Sequence, residues 1–298
     1  MGSRGEVQPL LALALELRAL RHAIRLCAPP NFASFAESFG VEFVPIGPDV
    51  EKLSRAAPPR PPGKPPLAQR RMMGGMMVRT QFEVLPTAAR DCDIVVGGGA
   101  LAIAARSIAE SVGARYRFVA FCPATFPTRE HPPLNSSEWV KPRAYASPSQ
   151  RRHHLRLLWS QDERSFNDVF CAALNEGRAA LKLAPVSDVR RHMFASDPWL
   201  SADPTLAPGP VEQTGAWFLR TNTPLPDELE RFLAAGEPPV YFGFGSMVGR
   251  TGARCSRPHA PWAASRSSPA AGPPSTPAPS ATTGSRSTTS NTPRSSLA

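Results

Sequence analysis

The chain has 298 residues, enough for about two domains of ~150 residues each, and 42% of them are hydrophobic. The net charge of +10 is unevenly spread: residues 249–298 hold six arginines and no acidic residue, whereas residues 1–248 balance 28 basic against 24 acidic side chains. This balance excludes a uniformly basic protein, and no apolar run approaches the ~20 residues that a membrane-spanning helix needs.

Five scattered cysteines without a C-x-x-C motif favour reduced thiols in a cytoplasmic protein over a disulfide framework. No cluster of metal-ligating residue types is visible, so no metal is expected. The pattern predicts neither an export signal nor a membrane-spanning segment.

Hydrophobic periodicity and turn residues predict an alternation of helices and strands. The predicted elements are helix 10–20, strand 23–27, helix 32–39, strand 41–45, a proline-rich loop 47–66, helix 72–85, buried strand 93–96, helix 100–112, strand 116–121, a loop 122–148, helix 151–181, an irregular region from 185, helix 227–235 and buried strand 240–244. Pro9 is expected in the first turn of the first helix and Asn31 at the N-cap of the second. The succession predicts an α/β fold with a Rossmann-like parallel sheet covered by helices.

The segment Gly2-Ser3-Arg4-Gly5-Glu6 directly precedes the first predicted helix, where such a fold has a strand-to-helix loop. A strand should stand before that loop, and only Met1 does, so the first strand of the sheet is predicted to be missing. We expect this loss at an edge, which leaves the parallel sheet recognisable because pairing between the remaining strands does not depend on it.

Glu6 is the candidate catalytic residue. Ligands bind at the carboxyl ends of strands in open α/β sheets, and a carboxylate at a helix start could take a proton from a hydroxyl within ~3 Å. The alternative for Glu6 is simple helix-start electrostatics, and a tight turn alone would also explain the glycines.

Two other side-chain groups are singled out. The cluster of Met72, Met73, Met76 and Met77 around two glycines suits either an adaptable apolar pocket or core filling. The pair His153–His154 beside two arginines is interpreted as a solvated helix face and not as a metal-binding or catalytic pair.

Several collinear segments over residues 2–248 resemble GT-B glycosyltransferases of the glycopeptide-antibiotic, macrolide and sterol glucosyltransferase type. These segments are GSRGEVQP at 2–9, LCAPPNF at 26–32, GVEFVPIG at 40–47, FCP at 121–123, QTGAW at 213–217 and PPVYFGFGSM at 238–247.

The resemblance implies an acceptor-binding domain over 1–220, then a linker and the first strand of a second Rossmann-like domain over 221–248. It implies inverting transfer of a hexose from a UDP- or TDP-linked sugar to a hydroxyl of a lipophilic acceptor, with no metal and no cofactor besides the nucleotide sugar. Glu6 maps onto the family's base, which is more often Asp. Gly2, Ser3, Met73 and Met76 map near the acceptor.

Gly245 and Ser246 match the loop near the donor diphosphate, and a simple strand-end turn is the alternative interpretation. The family's donor stretch, similar to HHGGAGT, does not occur in the sequence. Residues 249–298 are Ser-, Thr-, Pro-, Ala- and Arg-rich, which predicts disorder. Read with a one-base shift, the codons of residues 290–296 are compatible with VKHAPLF, a segment similar to one in the family. A reading-frame change near residues 247–250 is therefore predicted.

We therefore expect a glycosyltransferase lineage in which this chain is weakly active or inactive. The second hypothesis is a non-catalytic binder of apolar small molecules. The third is a nucleic-acid-associated protein, disfavoured because the basic tail lacks RGG repeats and stacking aromatics.

Overall fold

The computed structural model describes residues 2–56, 64–139, 141–221 and 224–239. Its helices and strands are α1 (Arg4–Ala19), β1 (Arg25–Ala28), α2 (Ala33–Glu37), β2 (Glu42–Pro45), α3 (Val50–Ala56), α4 (Leu67–Ala88), β3 (Ile94–Gly98), α5 (Ala105–Val112), β4 (Arg115–Ala120), α6 (Pro148–Ala180), α7 (Val189–Phe194), β5 (Trp199–Leu200), β6 (Glu212–Gln213) and α8 (Asp227–Ala234). The predicted α/β fold with parallel strands is confirmed. The predicted strand 240–244 and the tail 249–298 lie outside the described residues, and the domain limits stay a prediction.

The strands form two separate parallel sheets. β1 pairs with β2, with Arg25 opposite Glu42, and the second sheet has the order β3-β4-β5-β6, with Ile94 opposite Arg115. Parallel pairing is recognisable, as predicted, but the described strands form two sheets, which the expectation of a loss at one edge did not foresee. Chain order could not reveal this, because a crossover helix can carry the chain to either side of a strand.

Apolar packing on each sheet explains why both persist. On α1, Val7, Leu11 and Ala14 recur at helical spacing and are buried against β1 and α2. The larger cluster packs α4, α6 and α7 around β4, where Phe118 is fully buried. Each sheet therefore has its own covering helices.

Two helix starts differ from the predictions. α1 begins at Arg4, so Pro9 lies inside the helix; Ser3 and Glu6 stabilise this earlier start by a hydrogen bond. The proline removes one N–H from the helix ladder and leaves the rest intact. Asn31 is not an N-cap: its side-chain oxygen accepts a hydrogen bond from the Val50 N–H at 3.3 Å.

The loops around α3 and α5 also differ. The predicted loop 47–66 contains α3, because Asp49 accepts hydrogen bonds from the N–H groups of Glu51 (3.0 Å) and Lys52 (2.9 Å) and so caps a helix. α5 begins five residues later than predicted. In the turn before α5, the Gln81 side chain accepts a hydrogen bond from the Ala104 N–H (3.0 Å) and donates one to the carbonyl of residue 101 (3.1 Å). These backbone groups therefore have partners without helical hydrogen bonds.

The strands β5 and β6 fall in the region predicted to be irregular. Each has only two residues, too few for an alternating pattern, yet both continue the parallel sheet from β4. Within the described ranges, every helix is too short or too polar to cross a bilayer.

Candidate functional site

Glu6 lies in the first turn of α1 and makes a capping interaction there. The Ser3 N–H donates a hydrogen bond to Glu6 Oε2 at 3.0 Å. This contact fixes one carboxylate oxygen and orients the other. The positive end of the helix dipole stabilises negative charge at this position, so both the helix-start interpretation and the proton-acceptor hypothesis are compatible with the geometry.

Two glycine backbones enclose the same carboxylate. A Cβ atom at Gly2 would overlap Oε2 of Glu6, and a Cβ at Gly99 would overlap Oε1. Gly99 has φ +79°, in the left-handed region where glycine carries no steric penalty. Because Gly99 directly follows β3, the Glu6 carboxylate lies at the carboxyl end of a parallel strand.

Glu6 also lines the interstrand cleft, a cavity of about 930 Å³. We define this cleft by its walls, which are one face of α1, the facing edges of β1 and β3, the end of α4 and the inner side of α5. Gly2 and Glu6 lie where α1 begins, beside Gly97 and Gly98 at the end of β3. The half-buried carboxylate is thus near a hollow at the ligand-binding edge of the sheet, as predicted, and its role stays a prediction.

Met73 and Met76 lie on the exposed side of α4. Their exposed fractions are 53% and 59%, and Met72 is 57% exposed. Gly74 instead faces α6, where a Cβ would come within 2.6 Å of Val169 Cγ1. Core filling is therefore wrong for these three methionines, and they are not among the residues lining the interstrand cleft.

The donor-side residues Gly245 and Ser246 lie outside the described residues. Over the part of the chain that the structure describes, no group of three or more His, Cys, Asp or Glu side chains is arranged to hold a metal ion. The chemistry available at the cleft is accordingly that of one carboxylate and the backbone around it.

A polar cluster at the start of α6 escaped sequence analysis. His154 Nε2 lies 2.5 Å from Glu138 Oε1, and the Tyr145 hydroxyl donates to Glu138 Oε2 at 2.8 Å. Desolvation alone would raise the pKa of the Glu138 carboxyl, but these hydrogen bonds outweigh it and lower the pKa. The solvated-face interpretation holds for His153, which is exposed, and is wrong for His154.

A second cluster joins α5, α6 and α7. His192 Nε2 lies 2.9 Å from Ser107 Oγ, and Arg178 Nη1 donates to Ser107 Oγ at 2.9 Å and to Glu110 Oε2 at 2.6 Å. The Ser107–His192 pair has the spacing of a nucleophile and its base, but Ser107 is fully buried. No substrate could reach this hydroxyl, so the cluster serves packing.

Comparisons with known proteins match the part of the chain that contains Glu6. Residues 1–129 match the glycosyltransferase family 28 N-terminal domain. Glycosyltransferase GtfC and the vancomycin aglycone glucosyltransferase, both from Amycolatopsis orientalis, are each 38% identical, over 256 and 254 residues. Each alignment covers 83% of this chain and 59% of the relative.

A third relative from the same organism, dTDP-epi-vancosaminyltransferase, is 37% identical over 82% of this chain and 56% of its own length. Among solved structures, spinosyn forosaminyltransferase SpnP superposes with a TM-score of 0.48 at 18% identity, covering 84% of this chain and 57% of that chain. The chain thus spans a little under three fifths of the length of the curated relatives that it matches. Residues 1–129 thus match the N-terminal domain of glycosyltransferase family 28, and most of the chain is similar to glycosyltransferases of Amycolatopsis orientalis.

Proposed function

We propose that this chain belongs to an enzyme lineage that transfers a hexose from a UDP- or TDP-linked sugar to a hydroxyl of a lipophilic aglycone, with inversion at the anomeric carbon. The observation that carries the proposal is the half-buried Glu6 carboxylate at the carboxyl end of β3, inside the segment matched by the family. The name of one relative, vancomycin aglycone glucosyltransferase, supports vancomycin aglycone as acceptor, and that of another, dTDP-epi-vancosaminyltransferase, supports a dTDP-linked donor.

In the proposed reaction Glu6 is the general base. The acceptor oxygen bonds to the anomeric carbon, the bond from that carbon to the diphosphate oxygen breaks, and the hydroxyl proton passes to Glu6 Oε1. The hydrogen bond from the Ser3 N–H holds Oε2, so the carboxylate has one orientation. A positioned base of this kind contributes a rate factor of roughly 10²–10⁴.

The acceptor would contact the Gly2–Ser3 backbone and the exposed methionines of α4. Met73 and Met76 present flexible, polarisable thioethers to solvent. Such side chains adapt to irregular apolar shapes, which fits a lipophilic aglycone better than a small polar substrate. This assignment keeps Met73 and Met76 as acceptor-binding residues.

The donor side is the weak part of this chain. Gly245 and Ser246 would offer backbone N–H groups and a hydroxyl to diphosphate oxygens, but the sequence has no stretch like HHGGAGT to complete the site. Without a positioned donor, the entropic advantage of holding both substrates together is lost. We therefore expect weak or no transfer by this polypeptide alone.

The state of the cysteines supports a cytoplasmic location for this chain. Cys27, Cys92, Cys122 and Cys171 are all free thiols, and burial raises the pKa of the Cys27 thiol to about 11, so that it stays protonated. Free thiols are typical of reducing compartments, which supports the cytoplasm.

A second candidate function is non-catalytic binding of apolar small molecules. The incomplete donor motif together with the exposed methionines favours it. It shares the acceptor surface with the first proposal and differs in that Glu6 does not act as a base.

Calorimetric titration of the purified chain with vancomycin aglycone, UDP-glucose and TDP-glucose tests the proposal. We expect saturable heat with the aglycone, none with either nucleotide sugar, and at most trace transfer of radiolabelled glucose. A double variant, Met73→Ser with Met76→Ser, should weaken aglycone binding about tenfold, because roughly 1–2 kcal/mol of apolar contact is lost.

Leu157→Ser is the matched control, because Leu157 is also an exposed apolar residue on a helix, at 46% exposure on α6. It should bind the aglycone like the parent chain. Nucleotide-sugar binding without aglycone binding would contradict the acceptor assignment, and turnover at ordinary enzymatic rates would contradict the expected inactivity.

A further inference from the structure

The start of α6 extends beyond the helix that it packs against. Near the start of α4, Arg70 Nη1 donates to Ser165 Oγ at 3.0 Å. Further along both helices, a Cβ at Gly177 would overlap the ring of Phe82, so α4 and α6 run in the same direction. Residues 148–162 of α6 lie before the first of these contacts, and at ~1.5 Å per residue they form about 22 Å of helix. This length of α6 projects beyond the start of α4.

A loop and α7 cover one side of the projecting helix. Trp159 Nε1 donates to the carbonyl of His131 at 3.0 Å, and the guanidinium of Arg190 on α7 lies 5.8 Å from the centre of the Trp159 ring. The loop that contains His131 is thus held against the first turns of α6. We call the loop and the helix start, residues 129–139 and 141–156, the α6 tip.

The α6 tip has an excess of positive charge. Its sequence contains six arginine and lysine residues and two acidic ones. Both acids are engaged within the tip, since Glu130 lies 3.8 Å from Arg151 and Glu138 lies 2.5 Å from His154. The other five cations are exposed and form no ion pair within the described ranges: Arg129, Lys141, Arg143, Arg152 and Arg156.

Two large apolar side chains are exposed on the same loop. Leu134 is 53% exposed and Trp139 is 49% exposed. Trp139 Nε1 donates to the carbonyl of Pro133 at 2.9 Å, and its ring lies 5.8 Å from the ring of His131. The polar atom of this tryptophan is therefore satisfied while half of the side chain is in water. Such amphipathic rings are enriched where a bilayer meets water.

We propose that the α6 tip is a docking surface for the anionic face of a lipid bilayer. The five exposed cations attract acidic headgroups, and Leu134 and Trp139 enter the interface between headgroups and acyl chains. Each lysine or arginine near such a surface strengthens binding by about fivefold. A folded acidic protein would need a recess shaped to Trp139, whereas a bilayer admits a projecting apolar side chain of any shape. The proposal does not depend on sugar transfer by Glu6.

Co-sedimentation of the full chain with vesicles tests the charge. The parent chain should bind vesicles of three parts phosphatidylglycerol to one part phosphatidylcholine at least tenfold more strongly than pure phosphatidylcholine, and ~1 M salt should abolish the difference by screening. A tip variant with glutamine at four cations should bind at least about a hundredfold more weakly: Lys141→Gln, Arg143→Gln, Arg152→Gln and Arg156→Gln.

The basic C-terminal tail supplies the matched control. Four of its arginines are replaced in the same way, which removes the same charge outside the α6 tip: Arg250→Gln, Arg254→Gln, Arg257→Gln and Arg266→Gln. This variant should bind anionic vesicles within about fivefold of the parent chain.

Serine substitutions test the apolar contact. Leu134→Ser with Trp139→Ser should weaken binding to anionic vesicles at least about tenfold, because less apolar surface leaves water. Leu20→Ser with Leu206→Ser changes leucines of 69% and 85% exposure elsewhere and should bind like the parent chain.

Trp139→Phe separates binding from folding. This variant should keep the affinity for anionic vesicles and lose most of the quenching of tryptophan fluorescence by brominated phosphatidylcholine in those vesicles. The four glutamine changes and Trp139→Phe are all at exposed positions, so these measurements decide the proposal even if the double serine variant unfolds.

Three results would overturn the proposal. Equal binding to anionic and neutral vesicles would remove the electrostatic contact. An equal loss in the tip and tail glutamine variants would assign the binding to the tail. Full anionic binding by the double serine variant, together with equally strong binding to polyglutamate or RNA, would make the tip a site for an acidic protein or a nucleic acid.

Discussion

Replacing Arg178 by methionine should lower the free energy of unfolding by about 3 kcal/mol, because removing one partner of a buried ion pair leaves the charge of the other uncompensated. The Arg178 side chain is 7% exposed. Its Nε donates to the carbonyl of Ala184 at 2.7 Å, and its Nη1 donates to Glu110 and Ser107. Methionine fills the volume but removes the donor to the Ala184 carbonyl, and it leaves Glu110 with Arg106 (3.2 Å) and Ser107 with His192 (2.9 Å) as their remaining partners. Urea denaturation followed by tryptophan fluorescence measures the loss.

Arg164→Met is the control, because Arg164 is an exposed arginine on the same helix, α6. It should change the free energy of unfolding by no more than about 0.5 kcal/mol. Similar values for the two variants would mean that the Arg178 cluster does not stabilise the junction of α5, α6 and α7.

Stability should fall as the pH is lowered from about 6.5 to 4 because of His192. Burial lowers the pKa of His192 to about 4; nearby Glu110 favours protonation in part, whereas Arg178 and Arg106 oppose it. In the unfolded chain the imidazole has an ordinary pKa near ~6.5. Between these values unfolding takes up a proton, so the full stability is present above pH ~6.5. About 3 kcal/mol is lost by pH 4.

Urea denaturation at pH 7.0 and pH 4.5 of the parent chain and of His192→Gln separates this effect from the titration of carboxylates. The parent chain should lose more stability between the two pH values than the variant, by roughly 2–3 kcal/mol. His153→Gln, a change at an exposed histidine, should follow the parent chain. Parallel losses in the parent and in His192→Gln would refute the assignment.

The sequence predicted the strands β1 to β4 within a few residues because each is a short apolar run ended by a turn residue. Gly40 and Gly113 follow predicted helices and take positive φ values of 66° and 73°, as helix-ending glycines do. These signals are local. The start of α1 was mispredicted because Pro9 suggested a first turn, whereas the cap formed by Ser3 and Glu6 set the start at Arg4, six residues before the predicted helix 10–20.

Long-range arrangements carried no comparable signal. Ser107, Arg178 and His192 come from three helices, and Ser107 is separated from the other two by 71 and 85 residues. His192 follows two arginines in the sequence, a pattern that is typical of a surface residue. Packing of α7 against α5 and α6 makes it 7% exposed. The separation of the strands into two sheets was likewise invisible, since strand order is a property of the folded protein.

Glu6 illustrates how a candidate site was predictable in position but not in role. The loop glycines and the helix start predicted a carboxylate at the ligand-binding edge, and Gly2, Gly99 and Glu6 do meet there. The hydrogen bond from Ser3 to Glu6 also serves the helix. A carboxylate at this place serves helix capping and proton transfer alike, and a bound acceptor distinguishes the two roles.

The structure of the full chain crystallised with vancomycin aglycone tests the central proposal most directly. We predict an acceptor hydroxyl oxygen within about 3 Å of Glu6 Oε1, the reach of a general base, with the apolar body of the aglycone against Met73 and Met76. An aglycone bound with every hydroxyl beyond hydrogen-bonding distance of Glu6 would contradict the proposed base, whatever its affinity.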